Sequence, residues 1–171
     1  MVAEALKSRP RGNRGFTLFE AVAVIAVLGI LSAAFLTRWK DPGDMTVPIQ
    51  ADRLVRHIAH LQALAMNWNQ VLRLDLAGDR YAVRCVNGTG SAPCVTAGDI
   101  VIDPATSQPF QILLDDGVVV SGPDVDFDPW GRPVSGGTLL TAAQTVQLDA
   151  ATSSWIVVIS PLTGFATQAK L

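Results

Sequence analysis

Glu20 is the only ionisable side chain in an apolar run from Phe16 to Thr37. At a rise of about 1.5 Å per residue, a helix over this run is roughly 33 Å long, the thickness of a bilayer's hydrocarbon core. A carboxylate in that environment costs on the order of a few kcal/mol unless it is paired, protonated or close to the interface. The run therefore predicts a membrane-spanning helix. Because an unpaired carboxylate is costly there, we expect Glu20 to have a partner for its charge.

His57 and His60 stand three residues apart, a spacing at which both imidazoles could bind one metal ion. No Glu or Cys lies at a matching ligand spacing, so the pattern favours a solvated pair of side chains on a helix. Neither a metal nor any other cofactor is predicted.

The segment 124–128 reads Asp-Val-Asp-Phe-Asp, which resembles the start of a calcium-binding loop. An EF-hand loop needs glycine at its sixth position and a bidentate Glu at its twelfth, and Pro129 and Ser135 occupy those positions. The EF-hand loop is therefore excluded. Another calcium loop, built from this cluster with Asp115 and Asp116, stays open as an alternative.

Val125 and Phe127 favour a strand over the same segment. In that strand the two apolar side chains face inward and the aspartates between them face water. Residues 128–131, Asp-Pro-Trp-Gly, are typical of a type I turn.

Catalytic signatures are lacking: the chain has no Gly-x-Ser-x-Gly, no phosphate loop and no His-Glu-x-x-His. The sequence therefore predicts a protein that is not an enzyme. The alternative is a signal-anchored or secreted periplasmic enzyme or binding domain whose functional residues are scattered through its strands.

Residues 1–15 carry four basic side chains against the single acidic Glu4. Positive charge beside a spanning segment is retained in the cytoplasm, so the rest of the chain must lie outside. Without this leader, nine Lys and Arg face 14 Asp and Glu, a sum of −5, and no basic stripe suggests a nucleic acid partner.

Cys85 and Cys94 are the only cysteines, and the residues between them are rich in turn formers. Because the domain is expected outside the cytoplasm, a disulfide is predicted, with a stabilisation of roughly 2 to 3 kcal/mol for so short a loop. A zinc site would need two further ligands that this spacing does not supply.

The segment between the apolar run and the first strand contains a predicted break and a predicted helix. Proline and glycine at residues 41–48 predict a break in the helix. Apolar side chains then recur at steps of three and four residues, which predicts an amphipathic helix over residues 49–69. That stripe consists of Leu54, Ile58, Leu61, Ala65 and Trp68.

From Val71 onward the chain shows short strand patterns separated by turn residues, beginning with a hairpin around Gly78-Asp79. Further strands are predicted at 99–102, 111–114, 118–121, 125–127, 138–140, 145–148 and 155–159. One amphipathic helix followed by many strands predicts an α+β fold, with the helix packed on antiparallel β-sheet.

The segment 14–20, Arg-Gly-Phe-Thr-Leu-Phe-Glu, resembles the N-terminus of type IV pilin-like precursors. These carry a basic leader ending in Gly, then Phe-Thr-Leu-x-Glu, then an apolar helix. The resemblance implies that a prepilin peptidase cuts between Gly15 and Phe16 and methylates the new amino terminus on Phe16. It also implies that Glu20 pairs with the free amine of a neighbouring subunit during fibre assembly.

A secretory signal peptide is an alternative interpretation, with residues 32–34, Ser-Ala-Ala, as a cleavage site before Phe35. Its apolar region would be at the long end for a signal peptide, and Glu20 would have no use in a discarded segment. An uncleaved signal anchor is the third interpretation.

Residues 127–133, 156–165 and 62–66 resemble segments of mannose-sensitive haemagglutinin (MSHA)-type minor pilins and of H-type minor pseudopilins of type II secretion. The resemblance implies a minor pilin or pseudopilin, a structural subunit of a type IV pilus or a type II secretion pseudopilus. Its implied partners are the prepilin peptidase, other pilin or pseudopilin subunits and an inner-membrane assembly platform.

The predicted organisation combines these elements in a single-pass protein of the bacterial inner membrane. A cleaved leader at 1–15 precedes a transmembrane and assembly helix at 16–40, the break at 41–48 and a pilin-like head at 49–171. The N-terminus is expected in the cytoplasm before processing, and the head in the periplasm.

Overall fold

The computed structural model describes residues 18–36, 42–115 and 117–171. It divides into two compact units, residues 1–39 and 40–171. Helix α1 (Leu18–Leu36) belongs to the first unit, and helix α2 (Pro42–Trp68) opens the second.

Helix α2 presents one fully buried stripe to the core of the second unit. The predicted residues Leu54, Ile58, Leu61 and Ala65 lie in it, and Trp68 packs on it partly buried. Val47 and Ala51 continue the stripe toward the helix N-terminus at the same three- and four-residue steps.

The structure differs from the predicted break at 41–48, because α2 begins at Pro42 and contains Pro48. Proline at the first helical position loses no hydrogen bond, since that N–H has no partner within the helix. Pro48 lies in the second turn, where its missing N–H removes one bond. The neighbouring side chains of Val47 and Ala51 are fully buried, and their packing offsets that loss.

Asn69 ends α2 in a left-handed conformation, with φ of 53°. The Gln70 N–H donates to the Ala65 carbonyl at 3.1 Å, and the Asn69 N–H donates to the Met66 carbonyl at 3.4 Å. This pair of bonds is a Schellman motif, which satisfies carbonyls that the helix end would otherwise leave unpaired. The chain leaves the motif directly into the first strand.

Twelve strands occur in the described part of the second unit: β1 Leu72–Ala77, β2 Arg80–Cys85, β3 Ile102–Asp103, β4 Gln108–Pro109, β5 Gln111–Leu113, β6 Val119–Ser121, β7 Val125–Phe127, β8 Pro133–Ser135, β9 Thr138–Leu139, β10 Gln144–Asp149, β11 Ser154–Ile159 and β12 Ala166–Lys170. A six-stranded sheet has the order β5-β2-β1-β7-β8-β9, and a four-stranded sheet has the order β12-β11-β10-β6. Strands β3 and β4 form a separate ribbon. All strand pairs are antiparallel.

The predicted hairpin around Gly78-Asp79 is confirmed, with Ala77 opposite Arg80 at the turn and Leu72 opposite Cys85 at the far end. Strands β4 and β8 were not predicted, because each contains a proline, a residue that is rare inside strands. Strand β12 follows the Thr163-Gly164 turn, which lies in the segment 156–165 that resembles minor pilins.

The core of the second unit lies between α2 and both larger sheets. Helix α2 contacts β1 and β7 of the six-stranded sheet and β10, β11 and β12 of the four-stranded sheet. Tyr81 and Phe127 are the largest fully buried side chains. The predicted α+β fold, with an amphipathic helix packed on antiparallel sheet, is confirmed.

Candidate functional site

Glu20 lies in the first turn of α1. A carboxylate is favourable at this end of a helix, because the first N–H groups and the helix dipole present positive charge there. Its side chain is exposed, as is every other side chain from residue 18 to residue 32. Apart from Glu20 and Ser32, none of these side chains is polar.

One face of α1 carries Glu20 together with Ala23, Val24, Val27 and Leu28, at steps of three and four residues. These side chains line a shallow apolar groove of about 290 Å³. The face thus joins a carboxylate to a surface of small and aliphatic groups, against which a second helix can pack closely.

Among the residues that the structure describes, no helix meets the combined length and apolarity required of a membrane span. The predicted cleavage residues Gly15 and Phe16 lie outside the described residues, as do residues 37–40 of the predicted spanning segment.

The predicted disulfide between Cys85 and Cys94 is present, with the two Cα atoms 5.6 Å apart. Both cysteines are buried, Cys85 as the last residue of β2 and Cys94 in the loop that follows. Within the loop, the Thr89 N–H donates to the Cys94 carbonyl at 2.8 Å, and just beyond it the Gly98 N–H donates to the Cys85 carbonyl at 2.7 Å. The bridge therefore closes a small ordered loop at the rim of the six-stranded sheet.

The expectation that the aspartates of β7 face water is wrong for Asp126. Val125 and Phe127 are buried as predicted, but Asp126 is buried too, at 8% exposure. The Arg73 guanidinium on the adjacent strand donates two hydrogen bonds to it, at 2.6 and 3.0 Å. This bidentate ion pair gives the buried carboxylate both a positive charge and the hydrogen-bond donors that it needs.

Asp128 is also buried, at 7% exposure, and it organises the turn that follows β7. Its Oδ2 accepts bonds from Arg132 Nε and Nη2, and its Oδ1 accepts the backbone N–H groups of Trp130 and Arg132. Burial alone would raise the pKa of Asp128, but these bonds hold that pKa below its usual range. The bond from the Gly131 N–H to the Asp128 carbonyl closes the predicted turn.

Gln62 of α2 connects two of the segments that resemble minor pilins. Its Nε2 donates to the Gly131 carbonyl at 2.6 Å and to the Thr163 carbonyl at 3.1 Å. Gly131 and Gly164 both have positive φ, and a Cβ on Gly164 would collide with Gln62 Nε2. The glycines in these segments thus let two loops approach one helix closely.

The two histidines are not a solvated pair, because both are half-buried and each has its own hydrogen-bond partner. His57 Nδ1 lies 2.7 Å from the hydroxyl of Tyr81, and His60 Nε2 lies 3.1 Å from Asp103 Oδ1. Burial, and next the positive charge of Arg53, lowers the pKa of His57 to about 4. His57 is therefore neutral at physiological pH.

No group of three or more His, Cys, Asp or Glu side chains in the described part of the chain is placed to hold a metal ion. Asp115 instead accepts a bond from Gln50 Nε2 at 2.7 Å. Asp116, the other residue of the alternative calcium loop, lies outside the described residues.

Residues 10–36 match the family model described as the prokaryotic N-terminal methylation motif. The chain therefore carries the N-terminal motif of type IV pilin-like proteins. This motif indicates a membrane-anchored, pilus-associated protein.

A solved structure similar to this pilin-like chain is that of the minor pseudopilin EpsH from the type 2 secretion system of Vibrio cholerae. The two are 14% identical, with a TM-score of 0.46, and the similarity covers 74% of this chain and 96% of the other. No curated protein matches the chain.

The residues that the sequence interpretation missed are the arginine partners of the aspartates and the contacts of His57. Arg73 and Asp126 are 53 positions apart and meet only because β1 pairs with β7. Alternation along each strand shows which face a side chain occupies, but it does not reveal which strands are neighbours.

Proposed function

We propose that this protein is a minor pilin or pseudopilin. In this role it is a structural subunit that enters a type IV pilus or a type II secretion pseudopilus through its N-terminal helix. The proposal gives the chain no catalytic residues and no cofactor. Its site is the junction of Gly15, Phe16 and Glu20 with the apolar helix that follows.

The observation that carries the proposal is the methylation motif continuing directly into α1. The described side chains of α1 are exposed and almost all apolar, which is unfavourable in water by roughly 25 cal/mol for each Å² of apolar surface. A membrane covers such a helix before assembly, and the helices of other subunits cover it afterwards. A helix made only to be discarded would need no carboxylate in its first turn.

In this account the prepilin peptidase cuts between Gly15 and Phe16 and methylates the amino group of Phe16. The carboxylate of Glu20 then pairs with the Phe16 amine of a neighbouring subunit. In a low-dielectric setting an unpaired charge is costly, so the pair sets the register of an incoming subunit as well as holding it. The apolar face beside Glu20 is suited to the helix that brings this amine.

The proposed layout has a leader at 1–15, a single spanning helix within 16–40 and a head that begins near residue 42. Before processing, the basic leader holds the N-terminus in the cytoplasm, which leaves the head in the periplasm. An inner-membrane assembly platform is the further partner that such a subunit requires. The likeness of residues 127–133 and 156–165 to minor pilins supports a minor subunit.

Mass spectrometry of the chain from cells with and without a prepilin peptidase tests this proposal. We expect an N-methylated Phe16 start only where the peptidase is present, and the chain in the sheared fibre fraction of those cells. Gly15→Leu should block the cut because a bulky side chain replaces the glycine at the scissile bond, whereas Gly12→Leu is the matched control and should be processed. A start at Phe35, or an unprocessed chain beside an active peptidase, contradicts the proposal.

A further inference from the structure

A cleft of about 330 Å³ lies between α2 and the β3–β4 ribbon of the head. Three basic or imidazole side chains of α2 form one wall, and residues of the ribbon and of β5 form the other. The lining residues are Arg53, His57, His60, Asp103, Thr106, Gln108, Pro109, Phe110, Gln111 and Ile112.

Arg53 is the exceptional arginine of the head. Each of the other arginines in residues 42–171 forms a salt bridge, the pairs being Arg56–Asp52, Arg73–Asp126, Arg80–Asp79, Arg84–Asp75 and Arg132–Asp128. Arg53 has no carboxylate within salt-bridge distance among the described residues, although it is half-buried and lines the cleft. A guanidinium presents five N–H donors and no acceptor, so a cleft beside a free one is suited to an anion.

His57 adds a neutral N–H donor to the same wall. The Tyr81 hydroxyl is buried, and the only acceptor that the described residues offer it is His57 Nδ1, at 2.7 Å. If Nδ1 carried the proton instead, a buried hydroxyl hydrogen would have no acceptor, which is costly. The hydroxyl therefore donates to Nδ1, and the neutral ring carries its proton on Nε2.

Asp103 is the one carboxylate in the cleft, and its own hydrogen bonds occupy it. Its Oδ1 accepts bonds from His60 Nε2 and the Ala105 N–H, and its Oδ2 accepts one from Thr106 Oγ1. Asp103 therefore holds the ribbon in place without pairing with Arg53. Its negative charge also disfavours a multiply charged anion in the cleft.

Phe110 gives the cleft an apolar floor. It is buried at 4% exposure. Its ring centroid lies 5.3 Å from that of His57, in an edge-on arrangement, and 5.5 Å from that of His60. Pro109 and Ile112 add apolar side chains to the lining. The cleft thus offers apolar surface for aliphatic carbon and donors for one planar, singly charged group.

We propose that this cleft binds an aliphatic carboxylate of a peptide, either an Asp or Glu side chain or a chain terminus. The Arg53 guanidinium pairs with the carboxylate in two-bond geometry, and the His57 Nε2–H and the side-chain amides of Gln108 and Gln111 supply further donors. The aliphatic carbon next to the carboxylate packs over Phe110.

The test follows the imidazole resonances of the full chain in detergent micelles by NMR, with labelled histidine and constant ionic strength. The probes are N-acetylglutamate α-amide, which carries only a side-chain carboxylate, and N-acetylalanine, which carries only a terminal one. N-acetylglutamine α-amide is the neutral control, and inorganic phosphate is the competing anion. The arginine variants are Arg53→Gln, Arg53→Lys and, as a matched control on the exposed Arg80–Asp79 pair, Arg80→Gln.

We expect a saturable shift of the His57 resonances with at least one of the two carboxylates. The carboxylate that binds more tightly shows whether the natural ligand is an acidic side chain or a chain terminus. Arg53→Gln should weaken binding about tenfold, Arg53→Lys should weaken it less, and Arg80→Gln should leave it unchanged. The proposal is overturned by an equal response to the neutral amide, by tighter binding of phosphate, or by equal losses in Arg53→Gln and Arg80→Gln. The absence of a saturable shift up to about 50 mM carboxylate, well above a millimolar Kd, also overturns it.

Discussion

At the scale of single residues, the head stabilises itself through polar side chains that are buried and paired. Asp126 and Asp128 are buried, His57 is half-buried, and each has a defined hydrogen-bond partner. Removing one partner of a buried polar pair costs more stability than the intact pair contributes, because the remaining group stays buried without a hydrogen bond.

His57 makes the stability of the head depend on pH. Its pKa is about 4 in the folded protein and 6.5 when exposed, so the unfolded chain binds more protons between these values. Stability is therefore full above pH 6.5 and falls as the pH drops toward 4. The loss should be about 1 to 2 kcal/mol, after allowance for the partial exposure of the ring.

Unfolding of the full chain in mild detergent, followed by tryptophan fluorescence from pH 7.5 to 4, measures this loss. In His57→Gln the fall between pH 6.5 and 4 should be largely removed. The lowered pKa values of Asp103 and Asp128 act mainly at and below the acid end of this range, and both groups are retained in the variant, so the difference between the two profiles reports His57. An identical pH profile in the variant would show that His57 is not the titrating group.

Arg73 and Arg80 differ in the burial of the carboxylates they bind. Arg73→Ala leaves the buried Asp126 carboxylate without its hydrogen-bond donors and should destabilise the head by about 1 to 3 kcal/mol. Arg80→Ala breaks a pair whose carboxylate is 64% exposed and should cost about 0 to 1 kcal/mol. Urea unfolding of both variants compares them on neighbouring strands, and equal losses would refute the burial of Asp126 as the cause.

At the scale of elements, the Schellman motif fixes the route from α2 into β1. Asn69 holds φ at 53°, a conformation that glycine adopts without strain and alanine adopts at a cost. Asn69→Ala should therefore destabilise the head by about 1 kcal/mol, and Asn69→Gly should be neutral or slightly stabilising. Thermal unfolding of the two variants checks the order, and the reverse order would exclude a left-handed residue there.

The sequence predicts the elements whose signal is local. The buried stripe of α2 and the β1–β2 hairpin with its Gly78-Asp79 turn follow from periodicity and turn chemistry, and both are found. The start of α2 at Pro42 was not predicted, because proline disfavours a helix interior but is compatible with a first turn.

Contacts that depend on which elements become neighbours could not be predicted. The Arg73–Asp126 pair needs the pairing of β1 with β7, and the cleft at Arg53 needs the ribbon of β3 and β4 beside α2. Strand β4 contains a proline, so its sequence gives no sign of a strand at that position. The likeness to minor pilins did identify the segments 127–133 and 156–165, and the structure shows why Gly131 and Gly164 within them need to be glycine.

At the scale of the whole molecule, the two units differ in where their apolar side chains lie: buried in the head and exposed on α1. The buried core cluster lies entirely within residues 47–166, so the head has a core of its own. In α1, the described side chains at residues 18–32 are exposed and almost all apolar. A chain of this kind is suited to anchoring and assembly through one end while the other end folds independently.

Glu20 separates an assembling subunit from a simple anchor. In an anchor, removing a carboxylate from an apolar helix should be neutral or should improve retention in the membrane. In an assembled fibre, the same change leaves the amine of the neighbouring Phe16 without its partner. Because the core of the head lies outside α1, the variant should still be made, inserted and folded.

The decisive measurement is the amount of this protein in sheared fibres from a deletion strain that expresses Glu20→Ala, Glu20→Asp or Ser32→Ala at matched membrane levels. We predict that Glu20→Ala is absent from the fibres or severely reduced, that Glu20→Asp is partly retained, and that Ser32→Ala, which removes a polar group from the same helix, assembles normally. Full incorporation of Glu20→Ala would contradict the proposed assembly mechanism, even if the leader is cut at Gly15.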